Sequence, residues 1–198
     1  MRPILKKIKS IKFKWIVAAF LALYCVIIIL NITNKGDFFQ WDFRGFYYCA
    51  KSASSGLDPY NTKKIACAFN SYIFPYCYTP FSLYFFKLFT FFRYTAAFYI
   101  FLFLKCVLLL ALIIIWRDGF FGRRLGVSFF VLCLLGFDRA IYLDFAAGNV
   151  SIFEQIFLWL AFLFYLRKRL FLFCVFILLA SVFKLQPIFF LVLLFLCE

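Results

Sequence analysis

The chain has 198 residues, is 67% hydrophobic and 25% aromatic, and carries a formal net charge of +14 with no histidine. Soluble domains are about 45–50% apolar, so this composition, with a mean hydropathy of +0.99, excludes a soluble globular protein and leaves an integral membrane one. The missing histidine removes Ser-His-Asp and Cys-His triads and histidine-ligated metals, and the Lys and Arg beside apolar runs serve orientation and headgroup contact rather than nucleic acid.

Residues 1–14 hold Arg2, Lys6, Lys7, Lys9, Lys12 and Lys14 and no acid. The apolar run 15–32 follows, long enough at about 1.5 Å per residue to cross a bilayer. A basic flank before a first span places the N-terminus in the cytoplasm. The run is too long for a signal peptide and no small-residue cleavage site follows it, so an uncleaved first helix is expected. The polar segment 33–78 then faces outward. In 79–93, Thr79 can N-cap a helix with Pro80 at its first position. The apolar stretch behind them is short for a span and suits a re-entrant or interfacial helix.

A clear span covers 94–116. Apolar runs follow at 125–145, 150–166 and 170–183, then a last one after the Lys184–Pro187 stretch, with a break at 145–149. If 79–92 does not cross, Arg117, Arg123 and Arg124 fall inside, and so do Arg167, Lys168 and Arg169, as the positive-inside rule requires. The same choice puts the 33–78 segment, the 145–149 break and Lys184 together on the outer side. The expected fold is all-α: a polytopic transmembrane bundle forming one membrane domain. Its parts are a basic tail 1–14, a first span 15–32, an outward loop 33–93 with surface or re-entrant helices, and the remaining spans in 94–198.

Within 42–57, Phe43, Phe46, Tyr47 and Ala50 recur at i, i+3, i+4, i+7, one face of a helix. The pattern predicts an amphipathic helix on the outer membrane surface, opened by Asp42 and closed by Gly56, with Asp58-Pro59 as a turn. The eight cysteines form no C-x-x-C and read mostly as small buried hydrophobes. Cys49, Cys67 and Cys77 share the polar segment, where an oxidising compartment would permit a disulfide. Lys105 lies deep in its span, where ionisable groups face a bundle interior. Glu154 and Gln155 either line a cavity or join helices. Asp138 and Arg139 read equally as a buried pair, and Asp144 as an outer-face residue.

The stretches Asp42–Ala50, Gly56–Tyr60, Tyr78–Pro80, Gly148-Asn149 and Lys184–Pro187, in that order, resemble glycosyltransferase family 87. These are membrane enzymes of the GT-C superfamily related to polyprenyl-phosphate-mannose-dependent mannosyltransferases. The resemblance implies a GT-C-like bundle with a catalytic acid in its first outward loop. It implies transfer of a mannose-like hexose from a polyprenyl-phosphate donor to a lipid or glycan acceptor, with inversion. By position Asp42 becomes the general base, and Arg44, Tyr47, Tyr60, Tyr78, Asn149 and Lys184 the substrate- and phosphate-binding candidates. Two departures stand out. The family usually has Gly-Gln where this chain has Gly148-Asn149, and its members commonly run longer, so the chain reads as an N-terminal portion.

The chemistry agrees with those roles. Glycosyl transfer needs a base for the acceptor hydroxyl proton, and a partly desolvated carboxylate has the raised pKa that suits it. The leaving lipid phosphate needs cations or oriented N–H donors; Arg44 can grip it bidentately and Lys184 as a point charge. No metal or other cofactor is required by this scheme. The expected setting is a bacterial cytoplasmic membrane, and the expected partners are lipid-linked donor, glycolipid or glycan acceptor and membrane lipid, not nucleic acid. Plainer roles stand beside these: Asp42 as an N-cap, Asp58 as a turn former, Asp37 as a solvated loop residue, Arg44 and Lys184 as snorkelling cations. Two other readings of the whole chain are a transporter or flippase using Lys105, Glu154 and Lys184, and a non-catalytic remnant of such an enzyme.

Overall fold

The computed structural model describes Trp15 and residues 19–20, 22–33, 40–121 and 127–196. The basic residues of 1–14, Asp37, Arg123, Arg124 and Cys197 lie outside the described residues. The described chain is helical, and no strand occurs among the described residues. In chain order the helices are α1 (Ala22–Thr33), α2 (Trp41–Ser54), α3 (Thr62–Phe69), α4 (Pro80–Lys87), α5 (Tyr94–Ile115), α6 (Val127–Gly136), α7 (Asp138–Ala147), α8 (Ser151–Leu166) and α9 (Leu170–Phe183). A 3-10 turn, Leu88–Phe91, follows α4; a π turn, Trp116–Phe120, extends α5; and a 3-10 stretch, Gln186–Leu196, ends the described chain. Only Tyr94–Phe120, among the described residues, is long and apolar enough by itself to cross a membrane.

The helix expected in the polar segment is present, and its buried face contains the four spaced residues: Phe43, Phe46, Tyr47 and Ala50. That face meets protein rather than a lipid surface. Phe43 stacks on Phe101 of α5 with ring centroids 4.5 Å apart, and Phe46 stacks on Phe86 of α4 at 4.4 Å. Aromatic rings in such contact contribute about 0.5–1.5 kcal/mol each beyond their buried area. The row continues inward, Phe101 on Phe153 of α8 at 5.5 Å and Phe153 against Phe183 of α9 at 5.6 Å. One aromatic layer therefore ties α2, α4, α5, α8 and α9 together. The many phenylalanines are this core and the apolar exterior.

Asp42 does not cap α2. The N-cap is Gln40, left-handed at φ 67°, and Asp42 is the second helical residue. Gln40 is 2% exposed; its amide nitrogen donates to the Phe145 carbonyl and its backbone N–H to the Ala146 carbonyl at 2.6 Å. Two helix ends, the start of α2 and the end of α7, are thus pinned to each other. Further on, Gly56 takes φ +74° just past α2, and the Asp58 carboxylate accepts from the Tyr60 N–H at 3.0 Å, the turn the sequence indicated.

Helix α4 starts at Pro80 as expected, but the Thr79 hydroxyl donates away from it, to the Val182 carbonyl of α9 at 2.5 Å. Eight residues make about 12 Å of helix, far below a hydrocarbon core of about 30 Å. Its Ser82 and Phe86, with Phe89 of the following turn, are buried against the bundle. The expected run at 125–145 is two helices. Gly136 weakens it, and Phe137, at φ −108° and ψ 10°, turns the chain while hydrogen bonds from Phe137 to Cys133 and from Ile141 to Phe137 keep α6 and α7 joined. Asp138, at this bend, is exposed and accepts from the Tyr24 hydroxyl of α1 at 2.8 Å. Arg139 is exposed too, so the pair is not buried in the bundle.

Helix α7 ends on Gly148, left-handed at φ +69°. The Gly148 N–H returns to the Phe145 carbonyl and the Asn149 N–H to the Asp144 carbonyl, closing a Schellman motif. A Cβ on Gly148 would run into Gln40 Oε1 and lie 2.7 Å from Phe43 Cβ. Gly148→Ala therefore combines left-handed strain of about 1–2 kcal/mol with overpacking of about 1–3 kcal/mol. The variant is expected to melt well below wild type in detergent, and an unchanged melting temperature would mean the α2–α7 junction is slack.

Candidate active site

The turn between α7 and α8 reaches across to α2, α5 and the end of α9. Asn149 Nδ2 donates to Asp42 Oδ2 at 2.6 Å and lies 3.5 Å from the Tyr78 hydroxyl. On its other side, Asn149 Oδ1 accepts from the Ser151 backbone N–H at 3.1 Å and from Ser151 Oγ at 2.9 Å. Ser151 Oγ in turn accepts from Lys184 Nζ at 2.8 Å, and the same ammonium lies 3.2 Å from Glu154 Oε2. One hydrogen-bonded chain, Asp42–Asn149–Ser151–Lys184, joins three segments far apart in sequence.

Lys105 supports this chain from below. It is fully buried, donates to the carbonyls of Asp144 at 2.6 Å and Asn149 at 2.9 Å, and sits 2.6 Å from Asp144 Oδ2. Its directed bonds go to the two carbonyls; the Asp144 carboxylate balances its charge without a well-aligned bond of its own. The cation thus caps the end of α7, where the helix dipole is negative.

Asp42 is half-buried, and burial raises its carboxyl above the ordinary carboxylate range, although the Asn149 hydrogen bond and the nearby Lys105 and Lys184 charges work the other way. Among the described residues no hydrogen bond reaches its second oxygen, Oδ1. Tyr78, half-buried beside it, is pushed up to about 12 by burial and by the Asp42 charge, so it stays a neutral phenol able to donate.

Two cavities border this chain. A cleft of about 460 Å³ is lined by Tyr78, Thr79, Pro80, Phe183, Lys184 and Gln186 among others. An apolar groove of about 360 Å³ lies among α5, α6, α7 and α8, from Asp144 and Ser151 past Ile113 and Ile141 to Trp116 and Trp159.

The structure brings together Asp42, Tyr78, Asn149 and Lys184 among the expected residues. It sets Tyr60 one step back, its hydroxyl donating to the Tyr78 carbonyl at 3.2 Å. Tyr47 is buried, with its hydroxyl on the Phe92 carbonyl at 2.8 Å. Arg44, two residues and about 200° round the helix from Asp42, lies with its guanidinium 6.0 Å from the centre of the Tyr94 ring. Neither is part of the hydrogen-bonded chain that joins the three segments. Ser151, which links amide to cation, was not singled out; its place two residues after Asn149 was the available signal. Glu154 joins helices through Lys184, while Gln155 accepts from Trp159 Nε1 at 3.1 Å and lines the groove. The charges that suggested a transport path are paired, Lys105 with Asp144 and Lys184 with Glu154. Cys49 is buried, Cys67 and Cys77 are exposed, and all three are free.

The model of glycosyltransferase family 87 matches residues 76–198. The chain belongs to glycosyltransferase family 87. It is a membrane glycosyltransferase by family, and a sugar donor and a sugar acceptor follow in general terms. The family match contains Tyr78, Asn149, Ser151 and Lys184; Asp42, Arg44, Tyr47 and Tyr60 precede it. No curated protein and no solved structure matches the chain.

Two outcomes follow for the family-87 site. Lys105→Met leaves Asp144 as an uncompensated buried charge and removes a donor from two carbonyls, a loss of about 3–5 kcal/mol. Lys105→Met/Asp144→Leu is expected to recover part of it, and thermal unfolding of both variants tests this; a double variant no better than the single would put the cost in packing alone. For Asp42, the native carboxyl titrates above the unfolded value of about 3.9. Below that value both states hold the proton and nothing is lost. As pH rises toward the native value the unfolded chain releases its proton first, so stability falls and stays lower at neutral pH. Asp42→Asn should therefore melt higher than wild type near neutral pH, with the gap closing toward about pH 4.

Proposed function

We propose that this family-87 chain moves a mannose-like hexose from a polyprenyl-phosphate donor to a lipid or glycan acceptor in a single inverting displacement, with Asp42 as general base. The observation that carries the reading is the Asp42–Asn149–Ser151–Lys184 chain. It holds a carboxylate and an ammonium at its two ends with only neutral groups between them.

Such an arrangement serves both halves of the reaction. Asp42 Oδ1 takes the acceptor hydroxyl proton as the oxygen attacks the anomeric carbon. Its raised affinity for the proton, from burial, suits it to that step. Asn149 fixes the other oxygen and so orients the carboxylate. The bond to the leaving phosphate oxygen breaks on the far side, and Lys184 meets the charge that develops there. Tyr78, lining the cleft beside Lys184, donates a hydrogen bond to sugar or phosphate oxygen. In this reading Lys184 supplies the positive charge, so transfer needs no metal ion. The apolar groove that begins at Asp144 and Ser151 accommodates the first part of the isoprenoid chain.

Helix α8 separates Ser151, beside Asn149, from the basic turn Arg167–Arg169 by sixteen residues, about 24 Å. The site and that turn therefore lie at opposite ends of α8. With positive charge inside, this supports an outward-facing site in a bacterial cytoplasmic membrane and a cytoplasmic N-terminus.

The test is transfer by purified protein in lipid, from radiolabelled polyprenyl-phosphate mannose or glucose to a membrane glycolipid extract. Asp42→Asn is expected to keep its fold and lose about 10²–10⁴-fold in transfer, and a chelator is expected to change nothing. A folded Asp42→Asn protein with full activity would remove Asp42 as the base. Transfer by wild type only from a nucleotide sugar would remove the lipid-phosphate donor.

A further inference from the structure

Lys184 carries its own counter-ion. Its ammonium has three N–H groups. One donates to Ser151 Oγ at 2.8 Å, and the Glu154 carboxylate lies 3.2 Å away. The Lys184 side chain is 30% exposed and lines the cleft, whereas Glu154 is 8% exposed and does not line it. Lys184 is the single charged side chain among the cleft's lining residues. A ligand entering the cleft therefore meets an ammonium whose charge is already partly cancelled from behind by a buried carboxylate.

We propose that Glu154 is a specificity-determining residue that sets the Lys184 site to hold a singly charged lipid phosphodiester in preference to the doubly charged phosphate monoester. The proposal rests on the reading of Lys184 as the phosphate contact. Glu154 acts through Lys184 and does not touch the ligand.

The reaction makes this distinction matter. The donor is a phosphodiester with one negative charge. In transfer, the anomeric carbon–phosphate oxygen bond breaks and its electron pair stays on the phosphate oxygen. The acceptor oxygen forms the new bond to the anomeric carbon, and its proton passes to Asp42. The phosphate leaves as a lipid monoester, whose charge near neutral pH is about −1.5 to −2. A lone lysine would hold that product more tightly than the donor, because attraction grows with the charge on the ligand. A carboxylate on the same ammonium opposes each added negative charge, so the gain on going from diester to monoester is offset. The pair keeps enough positive charge to meet the developing phosphate and too little to retain the finished one.

Binding of two probes to the full chain in neutral detergent tests this: farnesyl phosphate as the monoester and its methyl ester as the diester. Both are titrated at about pH 8, above the second phosphate pKa of about 6. Wild type is expected to bind the diester at least as tightly as the monoester. Glu154→Gln keeps an oxygen acceptor for the ammonium and removes the charge. It is expected to shift the ratio toward the monoester on the order of tenfold, and Lys184→Met to lose both probes. An unchanged ratio in a folded Glu154→Gln protein that binds both probes overturns the role of Glu154 and leaves Lys184 as the phosphate contact. The wild-type ratio is a second check that needs no variant: a monoester held tighter than the diester overturns the proposal. Failure of folded wild type to bind either probe overturns the Lys184 reading beneath it as well.

Discussion

Lys105 Nζ sits inside the longest apolar helix among the described residues, with no exposed surface, and meets oxygens of a single turn: the Asp144 carbonyl, the Asn149 carbonyl and the Asp144 carboxylate. A buried ammonium is costly unless its charge is paired and its donors are used. Those requirements are met in one place only if the end of α7 stays against the middle of α5. The ion pair adds little net stability by itself, but misplacing the turn would strand a charge in an apolar interior. It therefore fixes position more than it adds energy. Asn149 and Ser151 are the next residues along that turn, so the hydrogen-bonded chain to Asp42 and Lys184 inherits its placement from Lys105.

Helix α2 is held to the same turn by different means. Its aromatic face stacks on α4 and α5, and its N-cap residue, Gln40, spends its side-chain and backbone donors on α7 carbonyls. Gly148 permits the close approach, since any side chain there would occupy the space of Gln40 and Phe43. The result is that Asp42, in the first turn of a helix read as lying on a membrane surface, is instead pressed against the bundle. Burial from this docking is the cause of its raised proton affinity. Packing of the rings of α2 against the bundle thus raises the proton affinity of the carboxylate that docks with them.

The sequence disclosed what depends on local pattern. The spacing of Phe43, Phe46, Tyr47 and Ala50 marked α2 and its buried face; Asp58-Pro59 marked the turn; Pro80 marked the start of α4; Arg167–Arg169 and the break at 145–149 marked interruptions between helices. Long-range pairing was not legible. Nothing in the spacing of Lys105 and Asp144, 39 residues apart, says that they meet, and the same holds for Tyr24 with Asp138. The break after Gly136 was missed although Gly136 and the charged pair Asp138-Arg139 interrupt the apolar run there. Of the residues that the structure brings together, Asp42, Tyr78, Asn149 and Lys184 were expected from the family resemblance, which carries tertiary information that periodicity lacks. Arg44, two residues from Asp42, lies nearly on the opposite face of the helix, with its guanidinium 6.0 Å from the centre of the Tyr94 ring.

The neutral linkers between Asp42 and Lys184 have a consequence for both ends. A direct ion pair between the two would lower the carboxyl's proton affinity. An amide and a hydroxyl transmit position without transmitting charge. Asn149 donates to the carboxylate and accepts from Ser151, and Ser151 donates to Asn149 while accepting from Lys184. Each group is used in the one sense that leaves the ammonium a donor and the carboxylate an acceptor. The short amide of Asn149 fits this arrangement because Ser151 bridges the remaining distance to Lys184.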